Sequence, residues 1–151
     1  MSASAFVTAG AGFLLAVLWF DLMFDVQVTG SREDELPEQV LSSIAAYYRR
    51  VTTDARPMNR LIALGMALTL AAIVVEIAQG DPQAWVAWTS LALALPPIAL
   101  AGLRIVPSAV RLGSRTDSPQ EQARLARGIF RAHVACVIPI GALLVLQLSF
   151  G

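Results

Sequence analysis

The chain has 151 residues, 56% of them hydrophobic and 15% charged, and its 11 basic and 11 acidic side chains cancel. A soluble domain carries about 25% charged residues, so the composition excludes an ordinary water-soluble domain, and no nucleic-acid partner is expected. The lone Cys136 excludes an intramolecular disulfide. All the basic residues are arginine, which excludes Schiff-base chemistry on a lysine.

No Asp, Glu, Lys or Arg occurs in residues 1–20, 61–75, 82–103 or 132–151. With flanking residues, each window is about long enough to cross a ~30 Å hydrocarbon core as a helix. The expected fold is all-α: one integral membrane domain over residues 1–151, built as a four-transmembrane-helix bundle. The expected spans are 4–27, 58–79, 83–106 and 128–150.

The first span begins "MSASAFVTAG", with no basic n-region, so it is expected to stay rather than to be cleaved as a signal peptide. Near its end, "LAVLWFDLMFDVQV" places Asp21 and Asp25 four residues apart, on one helix face. In the connection that follows, "LPEQVLSSIAAYYRRV" repeats apolar residues at helical spacing. This predicts a short amphipathic helix over about 37–52, at the cytoplasmic membrane surface or against the bundle base.

On the second span Gly65, Thr69, Ala72 and Glu76 share a stripe. "QGDPQAW" reads as a tight hairpin, with Gly80 past a helix end, Asp81 as N-cap and Pro82 at the first helical position. The third span carries Ser90, Ala94, Pro97, Ala101 and Arg104 on one stripe, with a kink expected at Pro96-Pro97. "SPQE" at Ser118–Glu121 is a capping box, so the fourth helix is expected to start near Pro119, before it enters the membrane. Its stripe holds His133, Cys136, Ile140 and Gln147, and Pro139 is a second candidate kink. Small and polar stripes belong at helix interfaces, so each is expected to face inward. Ala63, Ala67 and Ala71 form another small-residue face, which suits a contact with a second copy or a partner.

Arg32, Arg49, Arg50 and Arg56 fall in the first connection, and Arg111, Arg115, Arg124 and Arg127 in the third; the middle connection and both termini have none. By the positive-inside rule both arginine-bearing connections are cytoplasmic and both termini extracytoplasmic. This topology brings six ionisable residues to similar depth near the cytoplasmic side: Asp21, Asp25, Arg60, Arg104, Arg131 and His133. Glu76, Ser90 and Gln147 form a thinner outer polar layer. Asp21 is expected to be the deeper carboxylate, partnered by Arg104, with Asp25 reaching interfacial water.

The inner layer admits three readings: a structural ion-pair network, a ligand pocket, or a coupled proton site. Asp21, Asp25, His133 and Cys136 are metal-ligand types, but one histidine and one cysteine make a poor set, and neither a metal nor a cofactor is expected. No phosphate loop, paired histidines or nucleophile elbow occurs, so catalysis is not expected.

The segments "AVLWFDLMFDVQ", "AAYYRRVTTDARPMNRL" and "RLARGIFRAHVAC" resemble those of an uncharacterised family of small four-helix bacterial inner-membrane proteins, a likeness that implies the fold and attaches no activity. A carboxylate in the first of four short helices is also similar in architecture to the small multidrug-resistance transporters, whose loops are shorter. The expected function is a non-enzymatic protein of the bacterial inner membrane that binds a ligand or lipid. It is expected to work as a homo-oligomer or as a subunit of a larger membrane complex. The alternatives are a proton-coupled small-solute transporter using Asp21 and, third, an enzyme acting on a lipid or quinone.

Overall fold

The computed structural model describes residues 2–30, 36–80 and 84–151. Arg32 and the Asp81–Pro82 cap lie outside the described residues. Among the described residues six α-helices follow in chain order: α1 (Ala3–Asp25), α2 (Glu38–Arg49), α3 (Met58–Gln79), α4 (Ala84–Leu100), α5 (Val106–Ser114) and α6 (Pro119–Phe150). No strand occurs among the described residues.

Among the described residues, four helical stretches are long and apolar enough to cross a membrane: Ala3–Gly30, Asn59–Gln79, Ala84–Ser114 and Pro119–Phe150. The chain folds as a multi-pass, all-helical membrane bundle. Its outer surface is apolar, with Phe6, Trp19, Phe20, Leu68, Trp88, Leu103, Ile138 and Leu148 all exposed. In water such a surface would be an aggregation hazard; in a bilayer, lipid tails solvate it.

The helices pack in a ring: α1 lies against α3 and α6, and α4 lies against the same two. The α1–α3 contact is close because glycines make it so. A Cβ on Gly65 would come 2.6 Å from the Phe13 ring, and one on Gly10 would collide with the Thr69 hydroxyl. That hydroxyl donates back to the Gly65 carbonyl at 2.8 Å, which satisfies it inside the apolar interface. Ala63, Ala67 and Ala71 are exposed, so the tight contact of α3 within the chain runs through Gly65 and Thr69.

Helix ends follow local chemistry. Ser2 caps α1 by accepting from the Ala5 N–H at 3.4 Å, and Ser118 caps α6 by accepting from the Glu121 N–H at 3.3 Å. Only half of the expected capping box forms, because the Glu121 carboxylate turns to Arg124 and Arg111. Gly80 ends α3 at φ 65, a left-handed position that glycine adopts without strain.

One end of the bundle is capped. Helix α2 buries Leu41, Ile44, Ala45 and Tyr48 against Ala109 and Leu112 of α5 and Ala123, Ala126 and Ile129 of α6. It therefore sits on the bundle base. The approach to α5 depends on Gly113, where a Cβ would lie 2.8 Å from the Arg49 backbone nitrogen. An ion pair from Arg115 to Glu38 ties the cap at its rim, and one from Arg111 to Asp117 braces the connection between α5 and α6.

Residues 107–114, expected as connection, are helical as α5, and the third membrane helix runs on through them to Ser114. The junction with α4 is a π turn, Ala101–Ile105, closed by the Val106 N–H on the Ala101 carbonyl. A π turn takes in one residue more than an α turn. Residues beyond it are therefore rotated by about one helical step, roughly 100°. Ser90, Ala94, Pro97 and Ala101 face inward as their spacing predicts, but from the last residue of the turn onward Ile105, Ala109 and Leu112 take the inward face.

Candidate functional site: a carboxylate–imidazole–phenol cluster on a cavity wall

The π turn displaces one expected member of the inner layer. Arg104, read as the partner of Asp21, is exposed. The partners of Asp21 come instead from the cap and from α6. The Tyr47 hydroxyl donates to Asp21 Oδ1 at 2.7 Å, and His133 Nε2 lies 3.6 Å from Asp21 Oδ2.

Asp25 shows the larger departure from expectation. It does not reach water; it is 0% exposed. The Tyr48 hydroxyl donates to Asp25 Oδ1 at 2.6 Å, and His133 Nδ1 lies 2.6 Å from Asp25 Oδ2. The reason is the cap. Depth along α1 puts Asp25 nearer the interface, but α2 closes over that end and removes the water.

Both ring nitrogens of His133 thus face carboxylates, Asp25 at hydrogen-bond distance and Asp21 at ion-pair distance. Each carboxylate holds one phenol on its other oxygen. Phe24 stacks on Tyr47 with centroids 4.0 Å apart and an interplanar angle of 9°, which fixes that ring. Burial, followed by the charges of Asp25 and Asp21, pushes the Tyr48 phenol far above its ordinary ionisation range. Burial and then Asp21 do the same to Tyr47. Both phenols are therefore fixed as donors at any ordinary pH. The array places two carboxylates against the two nitrogens of one imidazole, at 2.6 Å for Asp25 and 3.6 Å for Asp21.

The cluster sits on the wall of a cavity of about 430 Å³ lined by residues of all six helices. Most of the wall is apolar, with Leu14, Leu18, Ile62, Met66, Ile98 and Ile140 among its members. Its polar end is formed by Asp21, His133, Tyr48, Thr52, Asn59 and Arg60. Thr52 donates to the Tyr48 carbonyl at 2.6 Å, and Asn59 Nδ2 donates to the Thr52 carbonyl at 2.9 Å. Asn59 Oδ1 is buried and accepts no hydrogen bond from the protein. Four lining residues, Arg60 and Ala63 on α3 with Gly102 and Val106 across from them, are exposed. They mark a mouth that opens sideways between α3 and the α4–α5 junction.

Of the six residues expected in the inner layer, the structure brings Asp21, Asp25 and His133 together. Arg60 stands at the cavity rim, and Arg104 and Arg131 are exposed. Cys136 lines the cavity but directs its thiol to the Pro97 carbonyl, at 3.9 Å. In the other polar layer, Gln147 Nε2 donates to Ser90 Oγ at 2.9 Å and to Glu76 Oε2 at 3.2 Å, which joins three helices. Sequence reasoning missed Tyr47, Tyr48, Thr52 and Asn59. The tyrosines were visible as apolar-face residues of an amphipathic helix; their hydroxyls are what the buried carboxylates use.

No known protein family, curated protein or solved structure matches the chain.

Proposed function

We propose that this is a non-enzymatic binding protein of the bacterial inner membrane. It takes an amphipathic small molecule or lipid from the bilayer into the lateral cavity. The observation that carries the reading is the cavity itself: about 430 Å³ of mostly apolar wall ending in one cluster of fixed polar groups. Ligand sites have this form, with an apolar body for affinity and a few converging polar groups for orientation. The sideways mouth suits a ligand that arrives within the membrane rather than from water.

In this reading the capped end is cytoplasmic and both termini are outside. Every loop arginine among the described residues falls at that end, as the positive-inside rule requires. A reporter that matures only in the cytoplasm should be dark when fused to the C-terminus; a bright fusion inverts the orientation.

The binding reading is tested by purifying the protein in mild detergent and analysing retained lipids and small molecules by native mass spectrometry. A bound species should be retained by the wild-type protein and lost in Ala63→Phe, which fills the mouth from an exposed position. Equal retention by the two proteins counts against the reading.

A further inference from the structure

The charges of the cluster restrict what the cavity takes. Asp21 and Asp25 bring two carboxyl groups, and so up to two negative charges, into a site walled by apolar side chains. Among the described residues, the groups facing them are His133 from α6 and Tyr47 and Tyr48 from α2, with Arg60 of α3 at the rim and Cys136 elsewhere on the wall. The stretch from α4 through α5 contributes no charge, because Arg104 is turned out and the wall there is Pro97, Ala101, Ile105 and Ala109. Both phenols donate and stay neutral. Arg60 is exposed, and its charge is screened by solvent.

One imidazole can compensate at most one carboxylate, and Asp25 is the nearer, at 2.6 Å. One negative charge then remains, on the Asp21 side, the side that lines the cavity. A low-dielectric site does not keep an uncompensated charge without cost. Two agents can neutralise it: a second proton within the cluster, or a cation brought by the ligand. A cationic head at this point would also lie in the field of the unpartnered Asn59 Oδ1, whose partial negative charge attracts it with or without an N–H to accept.

We infer that the ligand is an amphiphile with a singly cationic, amine-type head that binds beside Asp21 and displaces one proton from the Asp21–His133–Asp25 cluster. This rests on the binding reading above and adds the ligand's charge and the exchange. The balance is simple. The empty neutral cluster holds two protons over the two carboxylates and the imidazole. The occupied cluster holds one proton and the ligand's positive charge, and the other proton leaves to solvent. No covalent bond changes.

The test uses the full chain in phosphatidylcholine nanodiscs, with empty discs as blank. Three probes share one alkyl chain: dodecyltrimethylammonium, dodecanol and dodecanesulfonate. A quaternary ammonium cannot titrate, so any proton released comes from the protein. Calorimetry in two buffers of different ionisation enthalpy should show tighter binding of the ammonium and release of about one proton per ligand. Its affinity should rise about tenfold per pH unit while the exchanged proton is bound. Asp21→Asn should bind ammonium and dodecanol alike and release no proton, while melting as a folded protein. If ammonium and dodecanol bind the wild type equally with no proton release, this inference is overturned and the cavity reading stands. Preference for dodecanesulfonate also overturns it, since the head would then sit at Arg60. If none of the three binds above the blank, both readings fail. The proton count on the wild type stands even if the variant fails to fold.

Discussion

His133 Nδ1 lies 2.6 Å from Asp25 Oδ2, across a separation of 108 residues. Removing one member of a buried charged pair strands the other, which typically costs about 3–5 kcal/mol. Asp25→Ala is expected to destabilise the detergent-solubilised protein by about that much. Asp21→Ala should cost less, because its side chain keeps 15% exposure and water can reach the groups it leaves. Thermal melting of the two variants checks the ranking. A less-than-additive double change at Asp25 and His133 checks the pairing.

Arg104 gives the converse test. It is exposed, within the π turn, and surface substitutions away from special features usually fall within about 0.5 kcal/mol of wild type. Arg104→Gln should therefore leave the melting temperature unchanged. A loss like that of Asp25→Ala would show that it partners a buried carboxylate after all.

The phenols supply a pH prediction. The chain has only two tyrosines, Tyr47 and Tyr48, both held above their ordinary ionisation range by burial and the neighbouring carboxylates. Raised phenol values mean that above about pH 10 the unfolded chain binds fewer protons than the folded one. That contribution to stability is whole below about pH 10 and falls as pH rises above it. Absorbance near ~295 nm, where tyrosinate absorbs, should stay flat through the ordinary tyrosine range. It should appear together with unfolding at higher pH. A normal titration in the folded protein would place both hydroxyls in water.

Removing the donors separately should rank them. Tyr48→Phe takes a 2.6 Å hydrogen bond from the fully enclosed Asp25 and should cost about 1.5–3 kcal/mol. Tyr47→Phe should cost less, since Asp21 is partly exposed and the Phe24 stack survives. Equal small losses in denaturation would show that the phenols pack rather than donate.

Two glycines separate close packing from helix propensity. Gly113→Ala forces a Cβ to within 2.8 Å of the Arg49 backbone, and overpacking of this kind costs about 1–3 kcal/mol. Gly128, on α6, has open space at its Cβ position, so Gly128→Ala should be neutral or stabilise by up to about 1 kcal/mol. Melting temperatures moving in the same direction would mean that α2 is not seated on α5.

Much of the frame was legible because a bilayer imposes coarse rules on composition. Charge-free windows marked the four membrane helices, and small-residue spacing marked the inward faces of Ser90–Ala101 and His133–Gln147. Two things were not legible. The π turn is an added backbone step with no local signature in "AGLRI", and it turned Arg104 outward. The enclosure of Asp25 depends on where α2 docks, which is set by contacts between residues far apart in sequence. Depth along α1 alone made Asp25 look accessible. The adjacent tyrosines at 47 and 48 carried the missing information, as polar tips on an otherwise apolar helix face.

The pairing of the first membrane helix with the fourth has a consequence for biogenesis. Synthesis proceeds from the N-terminus, so α1 leaves the ribosome with both carboxylates long before His133 exists. The phenols of α2 follow soon after and give each carboxylate its first donor. The imidazole arrives only with the fourth helix, which must insert beside the first, past two already in place. Until then the nascent chain carries a half-built polar centre that lipid cannot satisfy. The cluster is completed by the last helix to insert, and its closure marks the finished bundle.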